Sequence, residues 1–426
     1  MAHRTSKHTS LVLSPKVSKL KTPQMMKYLS AAAMLTAGTF ARAQNVTPRS
    51  STEATGIRFT DFLKQLESAS DSSDRNQLVE DYTSKVRGHG RPVIEDSVIY
   101  FLHVGKARRV SIPGDLNGWN PKEDTLTRIP KTNLFYLPKS VNPSARFEYK
   151  IAVDSNWIFD PFNQQQTIGG YGANSEIWMP LYRPPTEIEY RADIPHGKLD
   201  SLNIKSKLLK RTHPVFVYKP PGYKQSSTKL YPTMYVTDGG EYITLGLMLN
   251  VLDNLIAEKK IEPIIAVFVD PRTNLLDSRT SKRMTEYTLS DTFVSFLVNE
   301  VRVRITKKYR SDLRTTQTGI MGASLGGLIS TYAGFTRPDI FGLIAAQSPS
   351  YWWKNDTIIT MIERSPRQNL KFYIDTGTIR DAQEKASKMK FVLEQKGYPL
   401  HYEEHAESHN WANWRSRISH ILEYFW

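Results

Sequence analysis

Cysteine is absent from the 426 residues, which excludes disulfides and thiolate chemistry and leaves the compartment open. No apolar run is long enough to cross a bilayer, so no stable membrane span is expected in the mature protein. Charge is lopsided without being concentrated. The formal net charge is +15, yet basic residues such as Lys207, Lys210 and Arg211 are scattered and accompany no nucleic-acid motif, so nucleic acid is not an expected partner. Part of the excess belongs to a leader. Met26-Lys27, an apolar stretch over 29–40 and Ala41-Arg42-Ala43 form the basic start, apolar middle and small-x-small end of a secretory signal. Cleavage of residues 1–43 before Gln44 would leave about 50 basic against 42 acidic residues, a formal excess of about +8, and predicts a periplasmic or secreted protein.

What is present points to acyl chemistry. Gly322-Ala323-Ser324-Leu325-Gly326-Gly327 follows a short apolar strand pattern at 318–321 and precedes a helical one at 328–333. A strand turning sharply into a helix exposes the serine hydroxyl, and small flanking residues let the neighbouring chain pass close by. The amide of Leu325, at a helix N-terminus, is placed to bind a developing oxyanion. A second donor is expected from Gly239 or Gly240, in the loop after a strand over 230–237.

An activated serine needs a base and an orienting acid, which in this arrangement follow it in the order acid, then histidine. Asp381, beyond the turn that follows a strand over 371–375, is the preferred acid, with Asp375 as the alternative. His409 is the preferred base, since it lies between the last strand pattern and the terminal helix. His401 falls within that strand, His405 comes too early, and His89, His103 and His196 lie ahead of residues 200–426, far before the serine. Trp352, Trp353, Trp411 and Trp414 lie beside strand ends, where an aromatic acyl group would stack, and Arg283 would pair with an anionic substrate group. The competing expectation is that the tryptophans fill the core and Arg283 pairs with Glu286.

Residues 200–426 resemble the esterase family of α/β-hydrolases that includes enterochelin, feruloyl and acetylxylan esterases. The resemblance rests on Asp238-Gly239, Arg283-Met284-Thr285-Glu286-Tyr287, the serine elbow, Ser348-Pro349-Ser350-Tyr351-Trp352-Trp353, Gly377-Thr378 and His409-Asn410-Trp411-Ala412-Asn413-Trp414-Arg415. It implies attack of Ser324 on an ester carbonyl to form an acyl-enzyme. His409 shuttles the proton and Asp381 holds the imidazolium, with no metal or cofactor. The expected substrate is a catecholate siderophore ester. A feruloyl or acetylated polysaccharide is the alternative, and a non-catalytic polysaccharide-binding protein is the alternative of another class.

Ahead of this α/β unit (186–426), residues 95–185 alternate short apolar strands with turn residues and read as a β-sandwich closed by Pro184-Pro185. Gly114-Asp115-Leu116-Asn117-Gly118-Trp119, Asp154-Ser155-Asn156-Trp157, Asp160-Pro161 and Asn174-Ser175 resemble the glycogen-binding type of immunoglobulin-like domain. That resemblance implies that Trp119 and Trp157 stack on sugar rings while Lys150 and Asn174 bond hydroxyls, or that the domain only shapes the neighbouring entrance. Within the preceding segment (44–94), apolar spacing over 57–87 predicts two short amphipathic helices broken at 71–74. Oligomeric state is not legible.

Overall fold

The computed structural model describes residues 55–426. The leader expected over 1–43 lies outside the described residues. Among the described residues, no helix is long and apolar enough to cross a membrane.

The first ten strands are β1 (Val93–Glu95), β2 (Val98–Val104), β3 (Val110–Ser111), β4 (Thr127–Arg128), β5 (Leu134–Ser140), β6 (Arg146–Tyr149), β7 (Ile151–Val153), β8 (Asn156–Ile158), β9 (Gln166–Gly169) and β10 (Gly172–Trp178). They form three small sheets in the orders β1-β2-β5-β4, β6-β10-β9 and β3-β7-β8. Alternation along β2 explains how the layers stack. Ile99 and Phe101 join Val110, Phe135, Phe147 and Ile177 in one core, while Leu102 meets Phe59, Phe62, Val79 and Tyr82 on the opposite face. Those last four come from the two expected helices, Phe59–Ser68 and Ser72–His89. Asp71, in the anticipated break, caps the second helix by accepting from the amides of Ser73 and Asp74 at 2.7 and 2.8 Å. Residues 146–153, whose apolar pattern reads as one strand, divide at Lys150, where β6 pairs with β10 and β7 with β3 and β8.

Beneath these sheets Asp160 is almost fully buried, accepting from Tyr149 Oη (2.6 Å) and Phe162 N (2.8 Å), and burial pushes its carboxyl up to about 6. A carboxyl that holds its proton more tightly when folded stabilises the fold fully below about pH 4, and loses that contribution as pH rises through about 6. The amount is about 3 kcal/mol. Asp160→Asn is therefore expected to flatten the fall in stability between pH 4 and 7, as read by urea midpoints across that range. A variant with the same pH dependence as the parent would refute this.

The remaining strands are β11 (Lys198–Lys205), β12 (Thr212–Lys219), β13 (Thr233–Thr237), β14 (Ile265–Val269), β15 (Thr318–Ala323), β16 (Leu343–Gln347), β17 (Lys371–Ile379) and β18 (Leu400–Ser408). They make one eight-stranded sheet in the order β11-β12-β14-β13-β15-β16-β17-β18, in which β12 runs antiparallel to both neighbours and every pairing from β14 to β18 is parallel. Burial on both faces explains the continuous apolar run of β14. Leu328 and Ile329 of the helix Leu325–Thr336 and Met389 of Gln383–Gln395 pack on one face. Leu252 of Met248–Ala257 and Ile421 of Ile418–Phe425 pack on the other. This is the α/β-hydrolase architecture. Its parallel strands all end at one edge, where loops from distant parts of the chain meet.

Candidate active site

Ser324 joins β15 to the helix Leu325–Thr336 with φ 57° and ψ −119°, a backbone state that an L-residue adopts only when its surroundings compel it. Its amide donates to Gln347 O (2.8 Å) and its carbonyl accepts from Ser350 N (3.0 Å). The flanking glycines are required by proximity. A Cβ on Gly322 would lie 2.0 Å from Thr237 Oγ1, and one on Gly326 would lie 2.6 Å from the same atom.

His409 Nε2 lies 2.9 Å from Ser324 Oγ, and its Nδ1 lies 2.6 Å from Asp381 Oδ1. The other carboxylate oxygen of Asp381 accepts from Ser348 Oγ and Gly377 N, each at 2.6 Å. Burial alone would raise the Asp381 pKa, but the hydrogen bond and charge of His409, with Ser348 and Gly377, hold it below the usual carboxylate range. Trp414 presents its ring edge-on to His409 at 5.1 Å and donates from Nε1 to Ser348 Oγ (3.0 Å). The geometry suits proton removal from Ser324 by an imidazole that a buried carboxylate orients.

Asp375, the alternative acid, lies elsewhere. The strand expected to end there continues to Ile379, so Asp375 sits mid-strand, fully buried, accepting from Gln347 Nε2 (3.1 Å), and burial raises its pKa well above the ordinary value. Asp381 lies two residues beyond the strand end, level with the serine.

In the loop after β13, Asp238 N donates to Tyr287 Oη (2.9 Å), Gly240 N to Asp270 Oδ2 (2.8 Å) and Glu241 N to Asp238 O (2.9 Å). Gly240 is therefore corrected as an oxyanion donor, because its N–H already serves a buried carboxylate. Gly239 keeps the uncommitted amide of this turn, and Leu325 N opens its helix. Arg283 is also corrected. Its Nε donates to both Asp238 oxygens at 3.0 Å and its Nη2 to Ala323 O at 3.0 Å, so it braces the serine strand against the loop after β13. Glu286, the other partner considered for it, meets Arg211 instead (3.3 Å).

Among the four tryptophans, Trp411 and Trp414 are core residues and Trp353 packs partly on the core, which removes them as stacking surfaces. Trp352 alone is well exposed, at 54%. Trp119 and Trp157 stack on each other, with ring centroids 6.3 Å apart and planes at 10°. Lys150 Nζ sits 4.8 Å from the Phe159 ring centre, and Asn174 Nδ2 donates to Glu148 (2.8 Å).

Sequence reasoning missed several contacts. Ser350 Oγ lies 3.2 Å from Ser324 Oγ and Ser348 bonds Asp381, although the motif containing both was noted without a role. Asn410, adjacent to His409, bonds Asp115 and Arg146 of the N-terminal sheets, a pairing that no local pattern signals.

Comparison with known proteins agrees with this architecture. The family described as Putative esterase matches residues 206–425, just over half of the chain. The iron(III) enterobactin esterase of Escherichia coli K12 is 24% identical over 261 residues, covering 55% of this chain and 62% of that protein. The endo-1,4-beta-xylanase/feruloyl esterase of Xylanibacter ruminicola is 27% identical over 202 residues, covering 46% and 27%. The chain thus spans less than two thirds of the length of these two curated relatives. Among solved structures, the enterobactin esterase of Shigella flexneri, determined in the presence of enterobactin, superposes with a TM-score of 0.65 at 18% identity, covering 80% of this chain and 97% of that one, a likeness of fold. The strand-helix elbow, the mixed sheet and the match over residues 206–425 agree, and the chain belongs to this esterase family and is an esterase.

Proposed function

We propose that the protein is a serine carboxylic-ester hydrolase that works through an acyl-enzyme, with Ser324 as nucleophile, His409 as base and then acid, and Asp381 as orienting carboxylate. The observation that carries this is the continuous hydrogen-bond chain from Ser324 Oγ through both ring nitrogens of His409 to Asp381. Leu325 N and Gly239 N are the proposed oxyanion donors, each such donor being worth about 3–4 kcal/mol of transition-state stabilisation. The residues present call for no metal or cofactor in this sequence of steps.

The proposed substrate is a catecholate siderophore ester. Exposed Trp352 suits an aromatic acyl group, and the enterobactin esterase of Shigella flexneri matches over 80% of the chain. A feruloyl ester of plant polysaccharide is the second reading, favoured by the Xylanibacter relative. In both, the units are a leader (1–43), a short helical segment (44–94), an immunoglobulin-like sandwich (95–185) and the hydrolase (186–426), and the enzyme is exported. Sugar binding by the sandwich has only the Trp119–Trp157 pair in its favour.

Hydrolysis of a triscatecholate trilactone set beside release of ferulate from feruloylated xylan separates the readings. The siderophore reading predicts kcat/KM at least about 100-fold higher on the trilactone, a difference of about 2.7 kcal/mol in transition-state binding. The reverse preference would overturn it.

A further inference from the structure

We propose that Asn410 is a positioning residue through which the N-terminal sheets hold the loop that carries His409. This rests on the Ser324–His409–Asp381 reading above and assigns part of the reaction geometry to the unit preceding the hydrolase sheet.

Asn410 caps the helix Trp411–Arg415, its Oδ1 accepting from Asn413 N at 3.2 Å. Capping needs nothing more than a short side-chain acceptor. Asn410 makes two further bonds: Oδ1 also accepts from Arg146 Nη1 (3.0 Å), and Nδ2 donates to Asp115 Oδ2 (3.0 Å). These partners lie 264 and 295 residues away in sequence.

Both partners are buried and bonded to further groups. Arg146 is fully buried in β6 and paired with Glu148 and Glu176. Asp115 is buried too, its Oδ2 also accepting from Glu148 N (2.9 Å) and its Oδ1 from Trp119 Nε1 (3.1 Å). The same turn reaches the acid's loop. Gly118, at φ 64°, comes so near Arg380, the neighbour of Asp381, that a Cβ there would stand 3.1 Å from its Nε. A third bridge runs from Arg415 Nη2 to Thr167 Oγ1 in β9 (3.2 Å).

The need for such a clamp follows from exposure. The side chain of His409 is 39% exposed and lies on a loop, whereas that of Asp381 is completely buried. Its ring is held by Asp381, Ser324 and the edge of Trp414, and its backbone on the C-terminal side by Asn410. An ångström of drift in a catalytic group can cost about 100-fold in rate.

Two variants test this. Asn410→Asp keeps the cap and the acceptor for Arg146 but loses the bond donated to Asp115, placing two carboxylates together among Arg146, Glu148, Glu176, Arg415 and the Asp381–His409 pair. Asn410→Ala loses all three bonds. Measured on p-nitrophenyl acetate, kcat is expected to fall about 10- to 100-fold in Asn410→Asp and further in Asn410→Ala, with KM within about threefold. The ratio of Asn410→Asp to parent should climb as pH falls from 8 towards 5.5, because protonating one carboxyl of the new pair restores a hydrogen bond. A downfield Nδ1 proton resonance of His409 is expected in the parent, where Nδ1 lies 2.6 Å from Asp381 Oδ1, and should broaden or vanish in both variants.

A merely structural role would lower the unfolding midpoint but leave kcat per folded enzyme and the resonance unchanged, and that result overturns the proposal. Parent activity that survives Ser324→Ala, or a parent without the resonance, would instead remove the triad reading and the proposal with it.

Discussion

Ser324→Ala is expected to lower kcat for ester hydrolysis by roughly 10⁶-fold, the scale seen when a serine triad loses its nucleophile. The reason is chemical. The acyl-enzyme route splits one difficult displacement into two easier ones, and without the hydroxyl only direct attack by water remains. Leu325 N and Gly239 N would persist in the variant, so a residual rate of about 10³ to 10⁴ over the uncatalysed reaction is expected. The fold should be untouched, because alanine at this position inherits the same φ of 57° and loses only the hydroxyl contacts with His409 and Ser350. Steady-state hydrolysis of p-nitrophenyl acetate, with unfolding midpoints as the control, measures both. A variant as active as the parent would refute the nucleophile assignment.

Asp381→Asn carries the second-largest expected effect, a loss of about 10⁴-fold in kcat. An asparagine there would keep the shape but would accept and donate in the wrong places. Ser348 Oγ and Gly377 N both point donors at Oδ2, so the amide nitrogen of the variant would turn towards His409 Nδ1 and hold the imidazole in the tautomer that cannot take the serine proton. The depressed pKa of Asp381 adds a stability effect of definite sign. Its contribution is present above the ordinary aspartate pKa and is lost as pH falls through the lower folded value, so it weakens the fold only in strong acid.

Asp375→Asn serves as the contrast. Asp375 has no contact with His409 and its raised pKa favours the neutral form, which an amide imitates, so kcat is expected to stay within about threefold of the parent. Stability at neutral pH should hold or rise, because the unfolded parent gains by releasing a proton that the folded state retains. Kinetics of the two variants side by side would decide the acid, and a collapse of kcat in Asp375→Asn alone would reverse the assignment.

Four strands of the hydrolase sheet, β13, β15, β17 and β18, were legible because their signals are local. The burial of β13 and β15 on both faces writes itself as short apolar runs, and the glycines around Ser324 mark where Thr237 and the helix backbone approach too closely for a Cβ. The order of serine, acid and histidine along the chain follows from the order of parallel strands that end at one edge. Less was legible among the N-terminal sheets. The short β4, β8 and β9 carry too few residues for a period-two pattern, and one expected strand changes sheets at Lys150.

The sequence by itself determined the elbow, the sheet class and the candidates for each role, since backbone strain, periodicity and turn chemistry are properties of a few adjacent residues. Only the tertiary structure set Asp381 rather than Asp375 against His409, gave the Gly240 amide to Asp270, tied Arg283 to Asp238, buried Trp411 and Trp414, and brought Asp115 to Asn410. Each of those outcomes depends on which donors and acceptors packing brings within about 3 Å of one another, and a hydrogen bond between groups nearly 300 residues apart leaves no trace in the spacing of either.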